Sequence, residues 1–323
     1  MNTTPITLIN PFNGQLLHYK EGGLEDDTGI FFPLKNGAYR FVNDKNYSDN
    51  FGFQWNKFRL TQIDKTANFE LSRQRFFVQT AWDKEDLVNK NILEVGSGAG
   101  RFTQVLLDHT VATVHSVDYS NAVEANYKNN GPHPRLHLYQ ASIYEMPFAP
   151  SQFDKVFCFG VLQHTPDVKK SVQSLIAMAK PGAEVIVDFY FISGWWTKVH
   201  AKYLLRPFTK KMDHQRLYSM IDRNAGWLIK TSRFFSKIGL GSIMNRFIPI
   251  CDIEGTLPRN LSEKQLHEMV VLDTFDMFSP EYDQPQHIGT VVKWFTENGM
   301  KDVWGGFVKY DHFRGAVVKG IKK

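Results

Sequence analysis

Between residues 91 and 191 five apolar runs, NILEV, VATVHSVD, RLHLYQA, FDKVFCFG and AEVIVDFYF, alternate with segments of helix or loop length. Runs this apolar fit strands buried on both faces. Their alternation predicts an α/β fold in which a parallel sheet is covered by helices on both sides. Ligands of such sheets bind beyond the carboxyl ends of the strands, near the point where strand order reverses. Every motif below falls at such an end.

The first run opens the stretch NILEVGSGAGRFT, a strand followed by a turn with Gly96, Gly98 and Gly100 at every second position. Glycine lets backbone N–H groups approach a ligand closely and tolerates positive φ. The spacing is G-x-G-x-G, with Arg101 where a dinucleotide fingerprint has its last glycine, and no Lys-Ser or Lys-Thr closes it as a phosphate loop does. Glu94, just before the turn, would repel a pyrophosphate and attract an ammonium group. Eighteen residues beyond Gly100, Asp118 ends the second run, where an acid can accept both hydroxyls of a ribose. The third run leads into QASIYEMPF, where Ser142 and Ile143 stand at the height of a nucleobase edge.

These stretches, with VDYS, FDKVFCFGVLQHTPD and AKPGAEVIV, occur in order over about residues 90 to 192. Together they resemble the class I S-adenosylmethionine-dependent methyltransferases, in particular the small-molecule branch related to quinone biosynthesis. The resemblance implies a doubly wound, seven-stranded, mostly parallel sheet and S-adenosyl-L-methionine as cofactor. It implies that Glu94 faces the methionine ammonium through water and that Gly96, Ser97, Gly98 and Gly100 border the amino acid moiety. Asp118 would bind the ribose, Tyr119 would lie against the adenine, and Ser142 and Ile143 would meet its edge. Phe159 and Gly160, at the end of the fourth strand, complete the expected cofactor-binding set. A leading helical segment would cover the cofactor, bringing Gln54, Trp55, and one of Arg73 and Arg75, towards it.

Relatives that methylate exocyclic amines of DNA or RNA carry an N/D-P-P-aromatic signature after the fourth strand, where this chain reads FCFGVLQHTPD, and Cys158 lacks a preceding proline. Nucleic acid is therefore the weaker substrate class. A methyl transfer to a hydroxyl needs a base. The candidates are His164 after the fourth strand, His214, and His287 in SPEYDQPQHIG. The alternative to an enzyme is a cofactor-binding partner protein without turnover.

Four segments are expected: a β-rich module over residues 1–50, the cofactor core with its leading helices over 51–193, a helical insert over 194–270, and a closing helix and hairpin over 271–323. Residues 194–250 hold eleven Lys or Arg against Asp213 and Asp222, although the whole chain carries only +5. Lys198, Lys202 and Arg206 recur at helical spacing beside Trp196, Val199 and Tyr203, so an amphipathic helix with a basic stripe is expected. Such an insert would act as a lid selecting an anionic or carrier-linked small-molecule acceptor, a glycan, sugar nucleotide or secondary metabolite, or rest on an acidic membrane surface; the alternative is an RNA methyltransferase that uses the basic insert to hold its substrate.

The N-terminal piece is similar to the zinc ribbon that precedes some of these methyltransferases, with Asn10 and Asn13 where cysteines would open it. Amides cannot replace thiolates at zinc, so no metal is expected, and packing of Phe31, Phe32, Tyr39 and Phe41 would hold the module. The only cysteines, Cys158 and Cys251, are far apart, which suits a reducing cytoplasm. Without a basic, apolar leader or an 18-residue apolar run, the chain reads as soluble.

Overall fold

The protein is described from a computed structural model covering residues 4–42, 46–67, 70–192, 194, 197 and 199–323. Four short strands come first: β1 (Leu17–Lys20), β2 (Gly23–Asp26), β3 (Phe31–Lys35) and β4 (Ala38–Arg40). Three helices follow, α1 (Asp49–Lys57), α2 (Asp64–Ala67) and α3 (Leu71–Thr80). The alternating part comprises β5 (Asn91–Val95), α4 (Arg101–His109), β6 (Thr113–Asp118), α5 (Ala122–Asn130), β7 (Leu136–Gln140), β8 (Phe153–Cys158), α6 (Val168–Met178) and β9 (Ala179–Phe189). Among the described residues five helices follow: α7 (Ala201–Thr209), α8 (His214–Lys237), α9 (Gly241–Met244), α10 (Ile253–Thr256) and α11 (Glu263–Phe278). The chain ends in α12 (Ile288–Glu297), β10 (Met300–Tyr310) and β11 (Phe313–Lys322). It divides into two compact units, Met1–Phe191 with Tyr282–Lys323, and Ile192–Glu281.

The five apolar runs become β5, β6, β7, β8 and β9, and every residue of β5 is buried. Adjacent β5 residues serve opposite faces. Ile92 belongs to the hydrophobic cluster that holds Phe76, Phe102, Leu106 and Phe157, whereas Leu93 belongs to the one that holds Val156, Val172, Leu175 and Phe295. The sheet order is β1-β2-β3-β4-β7-β6-β5-β8-β9-β11-β10, eleven strands where seven were expected. Seven of them, from β7 to β10, form the doubly wound part. The other four come from the N-terminal piece, which extends the core sheet instead of standing beside it. β4 pairs in parallel with β7, from Ala38 opposite Leu138 to Arg40 opposite Gln140. The buried Arg40 guanidinium fixes this register, donating to Gln140 Oε1 at 2.8 Å and pairing with Glu124 at 3.0 Å. An edge strand is thereby covered.

Where the ribbon comparison puts metal ligands, Asn10 and Asn13 donate to one oxygen of Asp26 at 2.6 and 2.9 Å. The other oxygen accepts the Thr28 hydroxyl and the N–H groups of Thr28 and Ile30. Burial pushes the Asp26 carboxyl up, but these donors outweigh it and hold the group below the usual carboxylate range. Phe32 stacks on Phe41 at 4.6 Å and Tyr39 on Tyr139 at 5.8 Å, while Phe31, expected in the core, is exposed because it alternates outward from Phe32.

In the unit Ile192–Glu281, α8 buries Leu217, Ile221, Ala225, Leu228 and Ile229, and α11 buries Leu266, Met269, Val270 and Phe275. A capping box of Ser262 and Gln265 starts α11, so the boundary expected at residue 270 falls inside a helix. Two further expectations need correction. The helix carrying the basic stripe starts at Ala201, behind the cap of His200, and Lys198 and Trp196 lie outside the described residues. Arg206 is buried rather than outward, because its guanidinium donates to the carbonyls of Met277 and Pro280 at the end of α11, where Thr209 also donates to Phe278. Helix C-termini leave such carbonyls without partners, and a cation suits them. No helix among the described residues is long and apolar enough to cross a membrane.

Candidate functional site

The glycine turn between β5 and α4 adopts the left-handed backbone that favours glycine, with φ of 81° at Gly96, 52° at Gly98 and 83° at Gly100. Its surroundings are close as well. A Cβ on Gly96 would overlap the Val161 side chain at 2.1 Å, and one on Gly100 would overlap Asn126 Oδ1 at 2.2 Å. At Gly98 the neighbour is the Trp55 indole nitrogen, 3.0 Å from such a Cβ. The leading helix α1 therefore lies over the turn. It also reaches the start of α5, since Asn56 Nδ2 donates to the Asn121 carbonyl at 3.0 Å.

Glu94 is buried at the end of β5. One carboxylate oxygen accepts the hydroxyls of Thr103 and Ser116, and the other, Oε1, has no hydrogen-bond partner. Burial pushes the group up to about 7, against the two hydroxyl donors. Ser97 Oγ in the turn and Gln54 Oε1 on α1 are buried and unpartnered in the same way. Buried polar atoms are normally satisfied, so two orphans at the glycine turn, with a third on the helix that lies over it, mark a place for a polar ligand. Two are acceptors, one of them a carboxylate, which suits an ammonium group and not a pyrophosphate. The residues present thus fit the amino acid end of S-adenosylmethionine.

Asp118, at the end of β6, first organises the protein itself. Oδ2 accepts Gly98 N–H at 2.8 Å, and Oδ1 accepts Ser120 N–H at 2.8 Å and its hydroxyl at 2.7 Å. Burial raises its pKa. The aspartate is only partly covered, so lone pairs remain for ligand hydroxyls. Beyond it the Tyr119 ring lies 4.9 Å from that of Tyr47, which meets Tyr282 edge-on at 5.4 Å. Ser142 and Ile143 are buried after β7, and the Ser142 hydroxyl accepts Tyr144 N–H at 3.2 Å.

At the end of β8, the Phe159 ring is a core group, 5.4 Å from Phe102 and 5.2 Å from Phe157, which leaves only its backbone for a cofactor. Gly160 has φ 74° and donates its N–H to Asp188 on β9. The other Asp188 oxygen pairs with Arg75 of α3 at 2.6 Å. Arg73 instead pairs with Glu70 at the surface.

His164 is buried four residues beyond Gly160. Its Nδ1 lies 3.0 Å from the Tyr282 carbonyl, and a carbonyl can only accept, so Nδ1 carries a proton, and in the neutral ring Nε2 is the basic nitrogen. The ring packs against Phe51 of α1 at 5.1 Å and Tyr190 at 5.6 Å. His287 is exposed at the start of α12, where its backbone carbonyl accepts Thr290 N–H. His214 belongs to the other compact unit, opening α8 edge-on to Phe275 at 6.3 Å. Asp188, Tyr47, Phe51 and Tyr282 were not foreseen. Only Asp188 left a trace in the sequence, a lone acid inside the apolar run VIVDFYF.

Residues 93–187 match the family of methyltransferase domains. The tRNA U34 carboxymethyltransferase of Nautilia profundicola is 31% identical over 111 residues, covering 34% of this chain and 37% of that protein. The ubiquinone biosynthesis O-methyltransferase of Coxiella burnetii is 30% identical over 129 residues, 38% of this chain and 55% of that protein. The chain thus spans between a third and somewhat over half of the length of these relatives. Magnesium protoporphyrin IX methyltransferase from Synechocystis PCC 6803, solved with bound S-adenosylhomocysteine, aligns over 86% of this chain and 97% of its own, at 14% identity and a TM-score of 0.47. Residues 93–187 are a methyltransferase domain, and the glycine turn with its orphaned carboxylate and the acid ending β6 fit S-adenosylmethionine as its cofactor.

Proposed function

We propose that the protein transfers a methyl group from S-adenosylmethionine to an oxygen of a small-molecule acceptor, a hydroxyl of a glycan, sugar nucleotide or secondary metabolite. The observation that carries this reading is His164, buried just beyond β8 with its Nδ1–H held by the Tyr282 carbonyl, the tautomer whose Nε2 can take a proton. The cofactor supplies an electrophilic methyl on a sulfonium. Glu94 Oε1 and Ser97 would hold its ammonium end, Asp118 its ribose, and Tyr119 with Ser142 and Ile143 its adenine. His164 Nε2 would take the acceptor proton as the oxygen attacks in line, and packing by Phe51 and Tyr190 would keep the ring in position. The helical unit Ile192–Glu281 would choose the acceptor.

The test is production of S-adenosylhomocysteine by purified protein offered panels of phenols, glycans and sugar nucleotides. Turnover with a hydroxyl acceptor, lost in His164→Asn with cofactor affinity retained, supports the reading. Turnover with none of them but with bulk tRNA would favour instead an RNA substrate, the class named for the Nautilia profundicola relative.

A further inference from the structure

Along α8, Arg216, Arg223, Lys230 and Lys237 recur every seventh residue, and Met220, Trp227 and Phe234 stand midway between them. All seven are exposed, Met220 at 43%, Trp227 at 55% and Phe234 at 58%. Steps of three and four residues put them on one helix face, a stripe of alternating cations and large apolar groups over roughly 30 Å. The opposite face is already used within its own unit, through Leu217, Ile221, Leu228 and Ile229. The one carboxylate of α8, Asp222, pairs with His267 at 2.8 Å, so no acid neutralises the stripe from its own helix.

We infer that this face of α8 docks on an anionic lipid surface. Cations with long stems and aromatic or thioether groups on one face are what an interfacial helix presents, with the apolar tips entering the acyl boundary and the charges meeting phosphates. Ten of the 23 large hydrophobic residues exposed on the described chain lie between Leu204 and Phe247, including Leu204 and Phe208 on α7 and Ile243 on α9. Aliphatic groups such as these add little to binding RNA, where stacking needs rings, but add directly to partitioning into lipid. A second copy fits the face poorly. Parallel pairing of the helices would oppose the four cations to one another, and antiparallel pairing would bury them against Met220, Trp227 and Phe234 without a counter-charge. The inference does not depend on methyl transfer.

The test is co-sedimentation of the full chain with phosphatidylcholine vesicles that contain or lack phosphatidylglycerol. Binding is expected only with the anionic lipid, falling as salt is added. Charge reversal in Arg223→Glu/Lys230→Glu should weaken it by about fivefold or more per cation lost. Trp227→Ala/Phe234→Ala should weaken it tenfold or more, with thermal stability and cofactor affinity unchanged because both side chains are exposed. Brominated lipids should quench the parent more than Trp227→Phe. Absence of binding to anionic vesicles, or binding that neither pair of substitutions alters, overturns the inference. So does binding of bulk tRNA through the same residues without vesicle binding, or a dimer in light scattering that Trp227→Ala/Phe234→Ala dissolves.

Discussion

Asp188 holds the Arg75 guanidinium with one carboxylate oxygen and the Gly160 backbone N–H with the other. One side chain of β9 thus ties α3 to the turn after β8. The arginine also lies 5.3 Å from the centre of the Phe102 ring, in a largely buried setting.

Removing one partner of such a pair leaves the other charged and buried. Arg75→Ala is expected to cost about 3–5 kcal/mol of stability, whereas Arg73→Ala, which breaks only a surface pair with Glu70, should cost under about 1 kcal/mol. Replacing both partners in Arg75→Met/Asp188→Leu should recover part of the loss. Urea unfolding of the three variants decides it, and equal costs for the two arginine variants would refute the assignment.

Glu94 gives a dependence on pH with a definite sign. Folding raises its pKa from an ordinary 4.5 to about 7, so between these values the native state binds the extra proton. Stability of the ligand-free protein should therefore fall as pH rises through that window, by about 3 kcal/mol in total. Glu94→Gln should be more stable than the parent near pH 8 and similar near pH 5, as thermal melts at both would reveal. Because a cofactor ammonium favours the carboxylate form, parent affinity should rise from about pH 6 to about pH 8. In Glu94→Gln it should be flat, and roughly 10- to 100-fold weaker at the upper end by calorimetry.

For His164, replacement by Asn removes the Nε2 base. Single-turnover rates with a hydroxyl acceptor should drop roughly 100- to 10 000-fold with cofactor affinity unchanged, while His287→Asn, an exposed change, should leave the rate within about twofold. A full rate in His164→Asn would remove the residue from the chemistry.

In the N-terminal strands, Asp26→Ala should leave five donors without their acceptor and lower the melting temperature by several degrees. Because folding holds this carboxyl below its usual range, the stability it contributes should be present near neutral pH and lost as acid protonates it. No zinc should copurify, and chelators should leave the melt unchanged; one equivalent of tightly held metal by elemental analysis would contradict this.

The parallel core was legible because buried strands write themselves as apolar runs, and NILEV coincides with β5 residue for residue. The glycine turn was legible because positive φ and close neighbours together favour glycine there. Long-range pairings of polar groups were not. Arg73 and Arg75 look alike in sequence, and only Asp188, 113 positions from Arg75, distinguishes them. Arg206 fits a solvent stripe by periodicity, yet the end of α11 claims it. Asn10 and Asn13 read as ligands lost, although Asp26, supplying the acceptor they need, lies within the same module. β4, three residues long, carries too little pattern to announce that it joins β7.

The sheet order also dictates a sequence of events during synthesis. β4 leaves the ribosome long before β7, its parallel partner, so the N-terminal strands must wait without their neighbour. β11 inserts between β9 and β10 only after the about ninety residues of Ile192–Glu281 have been made, which takes roughly 5–20 s at ordinary elongation rates. For that interval β9 is an open hydrogen-bonding edge at the far end of the growing sheet. The nascent chain is therefore most vulnerable to aggregation and to chaperone capture while its helical unit is being translated, and a stop codon placed within that unit should yield insoluble product even though β5 to β9 are complete.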